Sequence, residues 1–298
     1  MSIKAHPPHD LHEPVLLGAT LDLLNPQKGE SYLDLTAGYG GHAAAFLKRT
    51  GAQTSATLVD RDDYAIGKLS RFSENGVNLM HTDFVSATKA LIEQGRQFDI
   101  VLIDLGVSSP QLDQGERGFS FKNGGPLDMR MDRRQELTAK KLVNTASVRD
   151  ITRIIRDYGE EPAGKAKRIA DAIVRSRPLK TTDELAELIK QTVHSGWKKT
   201  HPATRTFQAL RIAVNRELEQ IEQVLPLLPR LLKDGGRLGV ISFHSLEDRR
   251  VKQYFTEQAN SGYEAELRIL TKKPIDGAIH DVHNPRARSA KLRAAVKI

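Results

Sequence analysis

Short apolar runs recur between residues 31 and 104, and polar or amphipathic stretches separate them. The spacing predicts strands near 31–35, 55–59, 77–81 and 99–103, with helices near 42–49, 62–72 and 86–94. Such alternation implies a parallel sheet covered by helices on both faces. Ahead of it, the apolar positions 15, 16, 17, 21, 23 and 24 suit a helix that stops before Asn25-Pro26. From about Leu112 to Arg205 the strand rhythm gives way to helical stretches around 138–145, 147–158, 162–175 and 182–193. Thr206 to Leu228 then reads as one long amphipathic helix. LLKDGGRLGVISF (231–243) reads as helix end, tight turn and strand, and AELRILT and KLRAAVKI as the last two strands.

The stretch SYLDLTAGYGGH (31–42) runs from apolar strand positions into small residues and glycines. Glycine permits the backbone angles of a sharp strand-to-helix turn, and its missing Cβ lets main chain approach a ligand closely. In a doubly wound sheet, ligands sit at the carboxyl ends of strands where the strand order reverses. Asp60 ends the apolar run Thr57-Leu58-Val59, 20 residues beyond Gly40, where an acidic side chain can accept hydrogen bonds from ribose hydroxyls. Asp83-Phe84 and Asp104-Leu105 follow the next two strands and are expected at the same rim as Gly40 and Asp60. A nucleotide-type cofactor pocket follows. The spacing alone is weak, because Gly38, Gly40 and Ala43 also pass as a dinucleotide fingerprint.

With 298 residues the chain has room for two moderate domains. Its charge is uneven. Residues 1–110 carry 9 Lys and Arg against 13 Asp and Glu, residues 111–206 carry 20 against 13, and residues 207–298 carry 16 against 11. A basic surface joined to an acidic cofactor-type region points to a polyanionic partner, most simply nucleic acid, with a solvated basic face as the alternative. There is no Cys, which excludes disulfides, Cys-based metal sites and thiolate nucleophiles. No leader and no membrane-length apolar run is seen, so a cytoplasmic protein is expected. His6, His9, His12 and Glu13 match no common metal spacing, and no metal is expected. In the loop RGFSFKNGGPLDMRMD (117–132) and just beyond it, Arg117, Lys122, Arg130, Arg133 and Arg134 lie beside Phe119 and Phe121. Those aromatics either stack on bases or anchor the loop in the core, and the sequence leaves both open.

DLTAGYGGH, VDRD (59–62), DLGVSSPQLDQGERGFSF (104–121), the LKDGGRL turn, SFHSLEDR and NPRARSAKLR together closely resemble the RsmH (MraW) family. Its members are S-adenosylmethionine-dependent methyltransferases of the N4 amino group of a cytosine in small-subunit ribosomal RNA. The resemblance runs from about His12 to the C-terminus. It implies a Rossmann-like, doubly wound α/β methyltransferase domain (1–111 and 206–298) with an inserted, mainly helical RNA-recognition domain (112–205). A helix before the first strand suits that class better than a dehydrogenase. By resemblance, Gly40, Gly41 and His42 line the methionine end of the cofactor, with the helix N-terminus at about residue 42 offering N–H groups to its carboxylate. Asp60 holds the ribose, Phe84 packs by the adenine, and Asp104 and Gln111 complete the pocket. A core role for Phe84 and a surface role for Gln111 are the alternatives.

Methylating carbon 5 of a pyrimidine generally needs a covalent nucleophile, usually Cys, so the absence of Cys favours a nitrogen or oxygen acceptor. An exocyclic amine needs hydrogen-bond acceptors for its N–H groups. Ser108-Ser109-Pro110-Gln111 stands where many amino-methyltransferases carry an Asp/Asn/Ser-Pro-Pro-aromatic motif. The second Pro and the aromatic are missing. Ser109 is the nominee for the acceptor, with His244 and Glu247 as alternatives. Arg286, Arg288 and Lys291, with the insertion's basic loop, are the candidate RNA contacts. Asp60→Ala is expected to weaken cofactor binding without unfolding the chain. The oligomeric state stays open, a homodimer being one option. A nicotinamide-dependent oxidoreductase and a noncatalytic RNA-binding factor are the competing classes.

Overall fold

The computed structural model describes residues 14–193 and 201–298, the side chain of Ser109 excepted, so His6, His9, His12 and Glu13 lie outside the described residues. The chain divides into two compact units. One holds the residues up to Gly106 together with Ile221–Ile298; the other is Val107–Gln220, and the expected insertion 112–205 lies inside it.

In the first unit a helix, α1 (Leu17–Leu24), precedes β1 (Tyr32–Asp34), as the apolar spacing predicts. Then follow α2 (Gly41–Thr50), β2 (Thr57–Asp60), α3 (Asp63–Ser73), β3 (Asn78–His81), α4 (Phe84–Glu93) and β4 (Phe98–Asp104). The apolar run of β4 is buried almost throughout, as a central parallel strand must be. Tyr32 of β1 stacks on Phe46 of α2, with ring centroids 4.6 Å apart.

The second unit is helical. It contains α5 (Ser109–Asp113), α6 (Ala139–Thr145), α7 (Val148–Gly159), α8 (Ala163–Arg175), α9 (Thr182–Thr192) and α10 (Thr204–Asn215). Its helices bury residues at i, i+3 and i+4: Ile151, Ile154 and Ile155 on α7, and Ala166, Ile169, Ala170 and Ile173 on α8. Burying each isoleucine contributes roughly 1.5–3 kcal/mol.

The long helix read over Thr206–Leu228 is broken. Arg216 takes a left-handed conformation (φ 52°) between α10 and α11 (Glu217–Val224), and a 3-10 segment covers Leu225–Leu231. Asn215 is the physical reason at the first break. Its buried side chain accepts from the Met131 amide (2.8 Å) and donates to the Met129 carbonyl (2.8 Å), which ties the helix end to a loop. Pro226 and Pro229 end the α-helical pattern at the second.

Back in the first unit come β5 (Leu232–Ser242), α12 (Ser245–Asn260), β6 (Leu267–Ile269), β7 (Ile275–Asp276), α13 (Gly277–His280) and β8 (Lys291–Lys297). The Asp-Gly-Gly sequence is a bulge inside β5 rather than a turn before it. The register with β4 jumps from Phe98 opposite Leu232 to Ile100 opposite Arg237. Helix α12 has no counterpart in the sequence reading, because its buried positions (Leu246, Val251, Phe255) are sparse among charges.

The sheet order is β3-β2-β1-β4-β5-β8-β6, with β7 beside β8. Strands β1 to β5 are parallel; β8 runs antiparallel to β5, β6 and β7. Strand order reverses between β1 and β4, which opens a crevice beyond their carboxyl ends. None of the described helices is long and apolar enough to cross a membrane.

Candidate active site

Beyond Asp34 the chain turns back sharply. The Ala37 amide donates to the Val59 carbonyl (2.9 Å) and the Gly40 amide to the Ala37 carbonyl (2.8 Å), so the turn is tied to both itself and β2. Gly38 and Gly40 have φ of 53° and 79°, angles that residues with a Cβ resist. A Cβ at Gly40 would overlap the Phe72 ring and stand 3.1 Å from Leu69 Cδ2, and one at Gly41 would stand 2.5 Å from Pro14 Cγ. The glycines are therefore required by packing within the unit. Gly40 is also the N-cap of α2 and supplies no side-chain cap. That leaves the first turn's amides to an external anion.

Asp60 binds this turn directly. Its Oδ2 accepts from the Gly38 amide and its Oδ1 from the Asp62 amide, both at 2.8 Å. Burial pushes its carboxyl up, and those two N–H groups oppose the rise. Asp34, 1% exposed, accepts from the Tyr32 hydroxyl (2.8 Å) and the Thr36 amide (3.1 Å). Burial raises it to about 7, and the neighbouring Asp60 adds to the rise.

Across the crevice, at the end of β4, burial holds Asp104 well above the carboxylate range, reinforced by Asp34 and Glu247. Its Oδ1 is buried with no hydrogen-bond partner among the described residues, and its Oδ2 lies 3.7 Å from Nε2 of the buried His42. The Asp104 amide donates to Thr36 Oγ1 (2.6 Å), which couples the two strand ends. Gly40, Gly41, His42, Asp60 and Asp104 thus gather where the strand order reverses. Phe84 is buried at the start of α4, where Asp83 caps the helix by accepting from the Val85 and Ser86 amides. Asp34 was missed in the sequence as a site group because it reads simply as a strand residue. The signal was an acid two residues before Thr36, at the very tip of an apolar run.

The chain is matched over residues 9–298 by the MraW methylase family. It belongs to that family. A ribosomal RNA small subunit methyltransferase H of Cyanothece sp. is 48% identical over 297 residues, covering 98% of this chain and 96% of that protein. Its namesake from Heliobacterium modesticaldum is 45% identical over 311 residues, covering 96% and 98%. Among solved structures, an rRNA methylase from Streptococcus thermophilus aligns with 94% of this chain and 95% of its own, at 14% identity and a TM-score of 0.40.

In this MraW methylase chain the remaining candidates have varied local duties. Gln111 belongs to the helical unit, where it is buried and its amide oxygen accepts from the Ser108 amide (3.0 Å) in the capping box of α5. Ser109 opens the same helix; its side chain lies outside the described residues. In the sheet unit, Glu247 accepts from the Phe243 and His244 amides (2.7 and 3.2 Å), and His244 Nε2 lies 3.1 Å from Glu247 Oε1. Both residues thereby cap the start of α12.

The basic candidates separate in the same way. Arg117 is buried and donates to the Arg130 and Met131 carbonyls (3.1 and 3.3 Å), while Arg130 grips Asp128 and the Arg133 and Gln135 carbonyls. Arg134 pairs with Asp132. These three hold the loop's own shape; Lys122 and Arg133 are exposed. Phe119 is buried, and Phe121 packs on Phe207 (centroids 4.9 Å) and His201 (4.7 Å), so both anchor the helical unit's core. Arg286 and Arg288 are exposed on a 3-10 turn, and Lys291 pairs with Asp248 at 3.5 Å.

Proposed function

We propose that this chain transfers a methyl group from S-adenosylmethionine to the N4 amine of a cytidine in small-subunit ribosomal RNA, in the cytoplasm. One observation carries this reading. In a member of the MraW methylase family, the buried carboxylates of Asp34, Asp60 and Asp104, all with raised pKa, gather beside a glycine turn at the strand-order reversal, where among the described residues the only charge that opposes the rise is that of Arg61 at Asp60. Such a cluster favours a cationic ligand.

The residues suit that donor. Asp60 keeps a lone pair on each oxygen beyond those given to Gly38 and Asp62, enough to accept from two ribose hydroxyls. The uncapped first turn of α2 suits the carboxylate end. The buried Oδ1 of Asp104 is an acceptor awaiting a donor. Phe84 would pack by the adenine, and Gln111 is the remaining cofactor candidate by resemblance. S-adenosylmethionine supplies, when bound, a methyl group already activated on a sulfonium.

The protein's remaining task is orientation, which can lower a barrier by on the order of 7–11 kcal/mol. Ser109 is proposed as the acceptor for the amine N–H. A strong base is not required, since the nitrogen becomes acidic once methylated. With no Cys in the chain, a covalent route to carbon 5 is closed. The test is mass spectrometry of small-subunit RNA from cells with and without the gene. Loss of one N4-methylated cytidine, restored by incubating that RNA with the purified chain and labelled S-adenosylmethionine, is the expected result. Unchanged cytidine methylation would overturn it.

A further inference from the structure

The segment between β7 and β8 forms a tightly tied projection from the sheet unit. Asp276 caps α13 by accepting from the Ala278 amide (2.9 Å), and the Gly277 amide donates to the Ala290 carbonyl (2.8 Å). Ala287 and Ala290 are wholly buried, and a Cβ at Gly277 would collide with the Ala287 carbonyl. The Leu16 amide donates to Asp281 Oδ2 (2.7 Å), which fastens the projection to the residues before α1. An ordered backbone therefore holds whatever side chains face outward.

Those side chains are unusual in combination. Ile279 and Val282 are 70% and 64% exposed, two of the five large hydrophobics that the described residues leave in solvent, and they stand three residues apart. Scattered single exposures are normal; two exposed aliphatics three residues apart on one ordered segment point to a contact surface. Residues 272–291 carry five Lys and Arg against two Asp, and both Asp side chains are spent on backbone amides. Strand β8 begins immediately after the projection, with Lys291 opposite Ser242, one residue beyond the Ile241 that faces Asp104. The projection thus rises at the Asp104 end of the sheet.

A partner that is polyanionic and also offers flat apolar faces is RNA with an opened base stack. We propose that residues 276–290 form a wedge, in which Ile279 and Val282 rest against a base exposed by unstacking beside the target nucleotide while Arg288 holds a flanking phosphate. This rests on the RNA methyltransferase reading above. Aliphatic side chains inserted at a base step are an established way to open a nucleic-acid stack, and a base amine must leave the stack before it can be methylated.

The test compares Ile279→Ser/Val282→Ser with Arg288→Gln, using unmethylated small-subunit RNA and a fragment of it that carries 2-aminopurine next to the target. The aliphatic pair should weaken binding about tenfold with an unchanged salt slope and abolish the rise in 2-aminopurine fluorescence. Arg288→Gln should flatten the salt slope by about 0.7, one lost phosphate contact. Ile279→Leu should behave as wild type, and all variants should keep the wild-type melting temperature. Unchanged affinity and fluorescence in the aliphatic pair overturns the wedge. So does a loss of self-association in that variant with RNA binding intact, which would make the surface a contact between copies. Wild-type chain that unstacks the RNA but leaves N4 unmethylated would defeat the functional reading and spare the wedge.

Discussion

The Gly38 amide donates a 2.8 Å hydrogen bond to Asp60 Oδ2, so the acid expected to hold a ribose also holds the glycine turn in shape. The carboxylate reaches the turn because β1 and β2 are neighbours in register, which brings the tip of one strand against the turn that follows the other.

Asp60→Ala therefore leaves the Gly38 and Asp62 amides without their acceptor. Each lost partner of a buried donor costs about 1–3 kcal/mol, so the variant should melt several degrees lower as well as bind S-adenosylmethionine more weakly. This adds a stability loss to the pure binding defect expected from the sequence. Asp60→Asn retains one acceptor and should fall between. Calorimetric melting and titration on the three proteins check the order, and an unaltered melting point for the Ala variant would remove the structural duty.

Stability should carry an acid-favouring contribution from Asp34. Its folded value of about 7 lies above the unfolded value of about 3.9, so the folded state binds more protons between them. That contribution is whole below about pH 4 and is lost as pH rises through about 7. The raised carboxyls of Asp60 and Asp104 act in the same direction. Asp34→Asn should make melting less dependent on pH over this window and should be no less stable than wild type at pH 8. A pH–melting profile unchanged by the substitution would count against it.

Proton release should accompany cofactor binding. A fixed positive charge placed among Asp34, Asp60 and Asp104 lowers their pKa, so protons leave as the sulfonium arrives. S-adenosylhomocysteine lacks that charge and should release fewer. Titrations near neutral pH in two buffers of different ionisation enthalpy measure the difference, and equal release by both ligands would refute the electrostatic account.

Gly40→Ala should be more damaging than Gly41→Ala. At Gly40 a left-handed backbone costs roughly 1–2 kcal/mol and overlap with Phe72 roughly 1–3 more. A Cβ at Gly41 meets Pro14 first, and the residue has no positive φ. Adding Phe72→Ala to Gly40→Ala should restore part of the melting temperature, since the backbone strain persists.

Arg117→Gln should lower stability and leave the salt dependence of RNA binding as it was. Its guanidinium is buried against the Arg130 and Met131 carbonyls and presents no charge to a phosphate. Arg288→Gln should do the reverse. Salt titrations beside melting curves separate the two, and a flattened slope in the Arg117 variant would return that residue to the RNA surface.

Much of the sheet was legible because buried parallel strands are dense apolar runs and their helices repeat at i, i+3 and i+4. Tyr32–Asp34, Thr57–Asp60, Asn78–His81 and Phe98–Asp104 lie where those runs placed them. The helices that carry few apolar residues or are cut by local contacts were not. Helix α12 hides among charges, and the break at Arg216 depends on Asn215 reaching Met129 and Met131, more than eighty residues earlier in the chain.

The same division runs through the site. Residue order alone determined that a glycine turn, Asp60 and Asp104 stand at the ends of the first, second and fourth strands, since these are properties of position along the chain. Tertiary structure alone decided which charges are spent at home, as with Arg117, Arg130 and Lys291, and which face outward, as with Arg288. It also decided that Asp34 joins the acidic cluster. Burial and pairing are set by what packs around a group, and a linear chain does not encode those neighbours by proximity.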